Sequence, residues 1–232
     1  IRNCLVGSEM CIRDRPRITD IRVHRMRTLG ETGMMESAWA PGRPYMRRIG
    51  GGSVTEIYTD QGISGIAPGM SPANIDRMKA LLVDQDPFDN ETLGHQMRYT
   101  NGAANNWRDV GCIEIALWDI VGKVANQPLY KLWGAQKDKV PAYASMIQLS
   151  TPEERAEQAV RVKEQGWQGI KIRLHHLQMK EDIRTIELVR EAVGEDFTIM
   201  TDANQAQSSG IWQPGVQWDY KRALDCLLYT SP

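Results

Sequence analysis

Gly169-Ile-Lys-Ile-Arg173 and, one βα unit later, Phe197-Thr-Ile-Met-Thr-Asp-Ala-Asn204 are the runs that decide how this chain is read. Strand side chains alternate in direction, so Lys171 and Arg173 share one face while Ile170 and Ile172 take the other. The same parity groups Met200, Asp202 and Asn204. If the two strands are neighbours in a barrel, a pair of cations and a carboxylate-amide pair meet at its carboxyl-terminal mouth, where barrel enzymes keep their chemistry.

Working outward, the stretch between the two runs carries Ile183, Ile186, Val189 and Val193 at helical spacing, which predicts a helix over Lys180 to Val193. Upstream, Val140 to Ser145 reads as a short strand. Thr151-Pro152-Glu153-Glu154 is a helix start, with proline at the first position and acids in the first turn, and Gly166 closes that helix. Strand, helix, strand at this spacing implies a parallel sheet, and a third helix begins near Trp218.

The earlier half has a different character. A strand from Ile18 to about Thr28 leads into a Gly, Pro and Met-rich segment, read as a mobile loop from Gly30 to Gly52. Within it Trp39, Tyr45, Arg47 and Arg48 suit either a lid that confers specificity or plain surface. Val54 to Thr59 and Ile63 to Ile66 flank Asp60-Gln61-Gly62, a hairpin signal. Ser71 and Pro72 start one helix, Asp89 caps another over Glu91 to Tyr99, and Val110, Ile113, Leu117, Ile120, Val121 and Val124 mark the strongest helix of the chain.

Composition bounds these readings: 232 residues, 41% hydrophobic and 25% charged, is ample for one or two packed cores. A formal net charge of -1 offers no electrostatic reason for a nucleic-acid partner, and no apolar run reaches membrane-spanning length, so no membrane partner is expected. Nothing marks export, and a cytoplasmic location is the default. Cys4 to Arg15 and Cys226 to Pro232 resemble translated sequencing-adapter sequence; 1–15 and 226–232 are therefore set aside as non-native tails. Cys112 remains as a buried thiol, and no disulfide or zinc framework survives.

Four strings in order carry a family resemblance: Val54-Thr-Glu-Ile-Tyr-Thr-Asp-Gln-Gly62, Ile113-Glu-Ile-Ala-Leu-Trp-Asp-Ile-Val-Gly-Lys123, Gln127-Pro-Leu-Tyr-Lys-Leu-Trp-Gly134 and Asp202-Ala-Asn204. From Pro16 to Asp225 the chain resembles the amino-terminal part of an enolase-superfamily enzyme of the mandelate racemase and muconate lactonizing type. The resemblance implies an α+β capping domain over 16–136. It then implies an incomplete parallel α/β barrel over 137–225, TIM-like and of the modified (β/α)7β type, with only the first three strands.

The chemistry so implied is removal of the proton next to a carboxylate, with Mg²⁺ stabilising the enediolate of the substrate; this superfamily is a standing example of such tuned sites. By resemblance Asp202 is the first of three carboxylate metal ligands, the other two lying outside this chain, and Asn204 is a polar neighbour of substrate or metal. Related enzymes carry Lys-x-Lys where this chain has Lys171 and Arg173. Neutralising an arginine at pH 7 costs roughly 7 kcal/mol or more, so Arg173 suits a carboxylate clamp, and Lys171 a base or a second clamp. His175 and His176 follow the strand and either bind or protonate substrate or are solvated loop residues.

A two-base racemase needs a competent base on each face, so dehydration of a sugar acid is favoured, with racemase, epimerase or cycloisomerase chemistry and a non-catalytic carboxylate-binding relative as alternatives. The expected partner is a small carboxylate or sugar acid, and the full-length protein is expected to be a homo-oligomer. Three strands alone leave an open edge and uncovered apolar faces, so the 232-residue chain is expected to be inactive, and either poorly soluble or dependent on a partner.

Overall fold

A computed structural model describes residues 15–37, 42–100, 107–203 and 218–230. The chain divides into two compact units: the described part of 1–30 together with 48–138, and 31–47 together with the described part of 139–232.

In the first unit β1 (Ile18–Arg25), β4 (Ser53–Thr59) and β5 (Ser64–Pro68) form an antiparallel sheet in the order β1-β4-β5. Ile21 and Ile57 face inward as cross-strand partners, and a register shift between Ile18 and Asp20 turns Ile18 to the same side; all three are fully buried in one core with α3 (Trp107–Val124). That helix contributes Ile113, Leu117 and Ile120, each fully buried, which is the stripe its three-and-four spacing predicts. Two further helices, α1 (Ile75–Leu82) and α2 (Asn90–Thr100), complete the core with Met78, Leu82, Leu93 and Met97, and the short α4 (Leu129–Leu132) follows Pro128. Cys112 is buried, and burial pushes its thiol up. Among the described residues no helix is long and apolar enough to cross a membrane.

Gly65 marks the closest approach of sheet and helix: a Cβ there would lie 2.0 Å from the Ala116 carbonyl oxygen. Backbone cannot yield as a side-chain tip can, so Gly65→Ala is expected to destabilise this unit by roughly 3 kcal/mol. Urea denaturation checks it; an unchanged midpoint would mean that α3 retreats at no cost.

The segment read as a loop between Gly30 and Gly52 differs. It contains β2 (Thr28–Met35) and β3 (Tyr45–Gly50), paired as a two-stranded sheet. Only Met35 of these residues is buried, so no alternation marks the strands in the sequence; besides the backbone pairing, the Tyr45 hydroxyl of β3 donates to the Met35 sulfur of β2 at 3.9 Å. Trp39 lies outside the described residues.

The second unit carries a parallel sheet in the order β6-β7-β8, from Ala144–Ser145, Gly169–Arg173 and Thr198–Asp202. The expected strand from Val140 shrinks to two residues, Ala144–Ser145, and Val140 is 81% exposed. Between the strands run α5 (Pro152–Glu164) and α6 (Met179–Val193), followed by α7 (Tyr220–Thr230). Thr151 opens α5 with a complete capping box to Glu154, and Gly166, at φ 88°, turns the chain beyond its end. Ile170, Ile172, Ala159, Val162, Val189, Val193 and Phe197 form the core. Cys226, which the sequence reading set aside with the tail, is buried in that same core on α7. Residues 1–14 lie outside the described residues.

Candidate functional site

Parallel pairing of β7 with β8 sets Arg173 opposite Asp202 and Lys171 opposite Met200. The ladder continues past the strand ends, with the Leu174 amide donating to the Asp202 carbonyl at 3.0 Å and the Met146 amide to the Lys171 carbonyl at 2.9 Å. Ile170 and Ile172 face the helices, so Lys171 and Arg173 project to the other side, as strand parity requires.

There the two cations converge on one carboxylate oxygen. Lys171 Nζ lies 2.6 Å from Asp202 Oδ2, and Arg173 Nη1 donates to the same atom. The three side chains keep only 24%, 12% and 18% of their surface. Burial pushes the Asp202 carboxyl up, but hydrogen bonds from Lys171 and Arg173 and their positive charge overcome it, holding the group below its ordinary range. Asn204 lies outside the described residues.

His175 and His176 are half-buried, their rings tilted at 38° to each other with centroids 4.3 Å apart. Burial, then the neighbouring His176 and Arg155, lower the His175 pKa to about 4, leaving a neutral imidazole at pH 7. His176 is engaged internally: its amide donates to Asp182 Oδ1 at 3.1 Å, its carbonyl accepts from Arg222 at 2.8 Å, and Nε2 lies 3.3 Å from the Thr185 hydroxyl. That hydroxyl gives its proton to the Glu181 carbonyl, so it accepts from Nε2.

The residues sequence reasoning missed are polar: Arg155 on α5 and Asp182 and Thr185 on α6 are buried, and Arg222 on α7 is half-buried. Burial lowers the Arg155 pKa to about 10, and its guanidinium donates to the Gln148 carbonyl and to Gln158. A signal existed. Arg155, Ala159 and Val162, and likewise Asp182, Thr185 and Val189, lie three and four apart on the buried faces of their helices. A polar residue on such a stripe needs a partner, and naming it requires the tertiary fold.

Magnesium calls for hard oxygen donors. Asp202 supplies such a carboxylate at the end of β8, with Lys171 and Arg173 both paired to its Oδ2. The set fits in kind; among the described residues no three His, Cys, Asp or Glu side chains group as a metal cage.

The chain thus combines a sheet-rich unit with a strand-helix-strand unit in which lysine, arginine and aspartate are joined at neighbouring parallel strand ends. Two family descriptions match: the mandelate racemase/muconate lactonizing enzyme N-terminal domain over residues 52–134, and the enolase C-terminal domain-like family over 154–227. The chain belongs to the mandelate racemase/muconate lactonizing enzyme family of the enolase superfamily.

Arabinonate dehydratase of Saccharolobus solfataricus is 34% identical over 198 residues, covering 72% of this chain and 52% of that protein. N-succinyl-L-Arg/Lys racemase of Bacillus cereus is 29% identical over 165 residues, covering 66% and 44%. The crystal structure of D-glucarate dehydratase from Agrobacterium tumefaciens complexed with magnesium superimposes with a TM-score of 0.69 at 29% identity, over 81% of this chain and 54% of that one. The chain thus spans about half the length of the curated relatives it matches.

Proposed function

We propose that the full-length protein removes the proton next to the carboxylate of a small acid through an enediolate of the substrate, and that its reaction is dehydration of a sugar acid. The incomplete barrel is part of this reading: β6, β7 and β8 are taken as the first strands of a parallel α/β barrel. The observation that carries it is the convergence of Lys171 and Arg173 on Asp202 at adjacent strand ends. Mg²⁺, held in part by Asp202, would supply a Lewis acid where negative charge develops on the substrate carboxylate.

The chain's own residues then have separate tasks. Arg173, whose side-chain type keeps its charge, clamps a substrate carboxylate. Lys171, released from Asp202 and acting as the neutral amine, takes the proton from carbon and becomes an ammonium. His175, neutral at pH 7, can hydrogen-bond a substrate hydroxyl. Asn204 is assigned to substrate contact by resemblance alone.

Arginine at position 173 favours dehydration over a two-base racemisation, since one face then lacks a second lysine. The name of the first relative agrees with that preference. The test is a screen of the full-length protein with Mg²⁺ against sugar acids, following loss of water by mass and exchange of the α-proton in deuterated water by NMR. Exchange with inversion and no loss of water would replace dehydratase by racemase. Binding of acids with neither exchange nor turnover would leave the carboxylate-binding alternative.

A further inference from the structure

Past Arg173, the segment His175 to Leu177 leaves the end of β7 and is held by residues far away in the chain. Arg222, near the start of α7, donates from Nη1 to the Leu177 carbonyl at 2.9 Å and from Nη2 to the His176 carbonyl at 2.8 Å. Nη2 also pairs with Asp182 Oδ2 at 2.8 Å. The other oxygen of Asp182 accepts the His176 amide at 3.1 Å. Asp182 is only 2% exposed, and burial pushes its carboxyl up against the pull of these bonds. The guanidinium lies over the Trp218 ring at 4.8 Å from its centroid.

This is not how a helix anchors its own end. The hydrogen bonds of the Arg222 side chain reach residues 40 to 46 positions away, and two end on backbone carbonyls of one strand-end segment. A planar guanidinium can address two carbonyls and a carboxylate in one orientation, which a point-charge ammonium does not reproduce. The segment is thereby gripped on its carbonyl side by Arg222 and on its amide side by Asp182.

We propose that Arg222, acting with Asp182, is a positioning residue that fixes the His175–Leu177 segment at the end of β7 and so sets where His175 stands beside the site. The inference rests on reading the β7 and β8 ends as that site. It concerns placement of a side chain, not a chemical step.

The chain has four histidines, so ¹³Cε1-histidine labelling gives a spectrum that His175→Gln and His176→Gln assign directly. The experiment follows the His175 ring signal of the 232-residue chain through a pH titration, with Arg222→Met, Arg222→Lys and, as a control on the same helix, Lys221→Met. Lys221 pairs only at the surface with Asp225. Release of the segment solvates the ring, so Arg222→Met should raise the His175 midpoint by at least about one pH unit toward the ordinary value. Arg222→Lys should raise it less, and Lys221→Met should leave it in place. If Arg222→Met does not fold, Arg222→Lys decides: a midpoint equal to wild type in a folded Arg222→Lys chain overturns the proposal, as does an unmoved midpoint in folded Arg222→Met. A negative activity screen would remove the proposed reaction and leave this result standing, because the readout does not depend on turnover.

Discussion

Lys171→Met in the full-length protein is expected to lower α-proton exchange by about 10²–10⁴-fold, the range a positioned general base contributes. Methionine keeps the length and apolar volume of the stem, so the β7–β8 ladder has no reason to shift. What disappears is the amine 2.6 Å from Asp202 Oδ2. An ammonium cannot accept a proton, so Lys171 must leave its ion pair with Asp202 and be a neutral amine when it acts. Exchange of the α-proton with deuterium isolates this step from loss of water. A variant with unchanged kcat and a raised KM would reassign Lys171 from base to carboxylate clamp.

Asp202→Asn is expected to destabilise the second unit by about 2–3 kcal/mol at pH 7, somewhat below the cost of breaking a fully buried pair. The carboxylate is the counter-charge shown for both Lys171 and Arg173, and the three side chains retain a quarter of their surface or less. Asparagine preserves shape and leaves two neighbouring cations facing an amide. The folded-state pKa of Asp202 is depressed, so its contribution is present above the ordinary carboxylate range and is lost as pH falls through the folded value. The stability gap between wild type and variant should therefore be full at neutral pH and close in strong acid. Urea denaturation across that range measures it; a gap independent of pH would locate the effect in packing instead of charge.

Much of what places these residues is short-ranged. Gly169–Arg173 is bounded as its sequence suggests, and the helices over 152–164 and 179–193 begin and end within a residue or two of their caps and apolar repeats. β2 and β3 escaped notice because their side chains are almost all exposed, so the signal that identifies strands, one face buried and one wet, is missing. The buried polar group escaped for the opposite reason. Asp182 and Arg222 are 40 positions apart, and nothing within a helical window tells an aspartate that will meet water from one that will meet a guanidinium.

Read alone, the amino-acid order determined the family, the strand parity that puts Lys171 and Arg173 on one face, and the helices that cover the other, because alternation and helical repeat act over a few neighbouring residues. Only the folded chain decided that both cations share Asp202 Oδ2, that His175 is half-buried, and that Arg222 bonds the segment carrying it. Those outcomes depend on parallel register and helix packing, where residues 29 to 46 positions apart meet at hydrogen-bond distance, and such meetings are settled by the whole core at once.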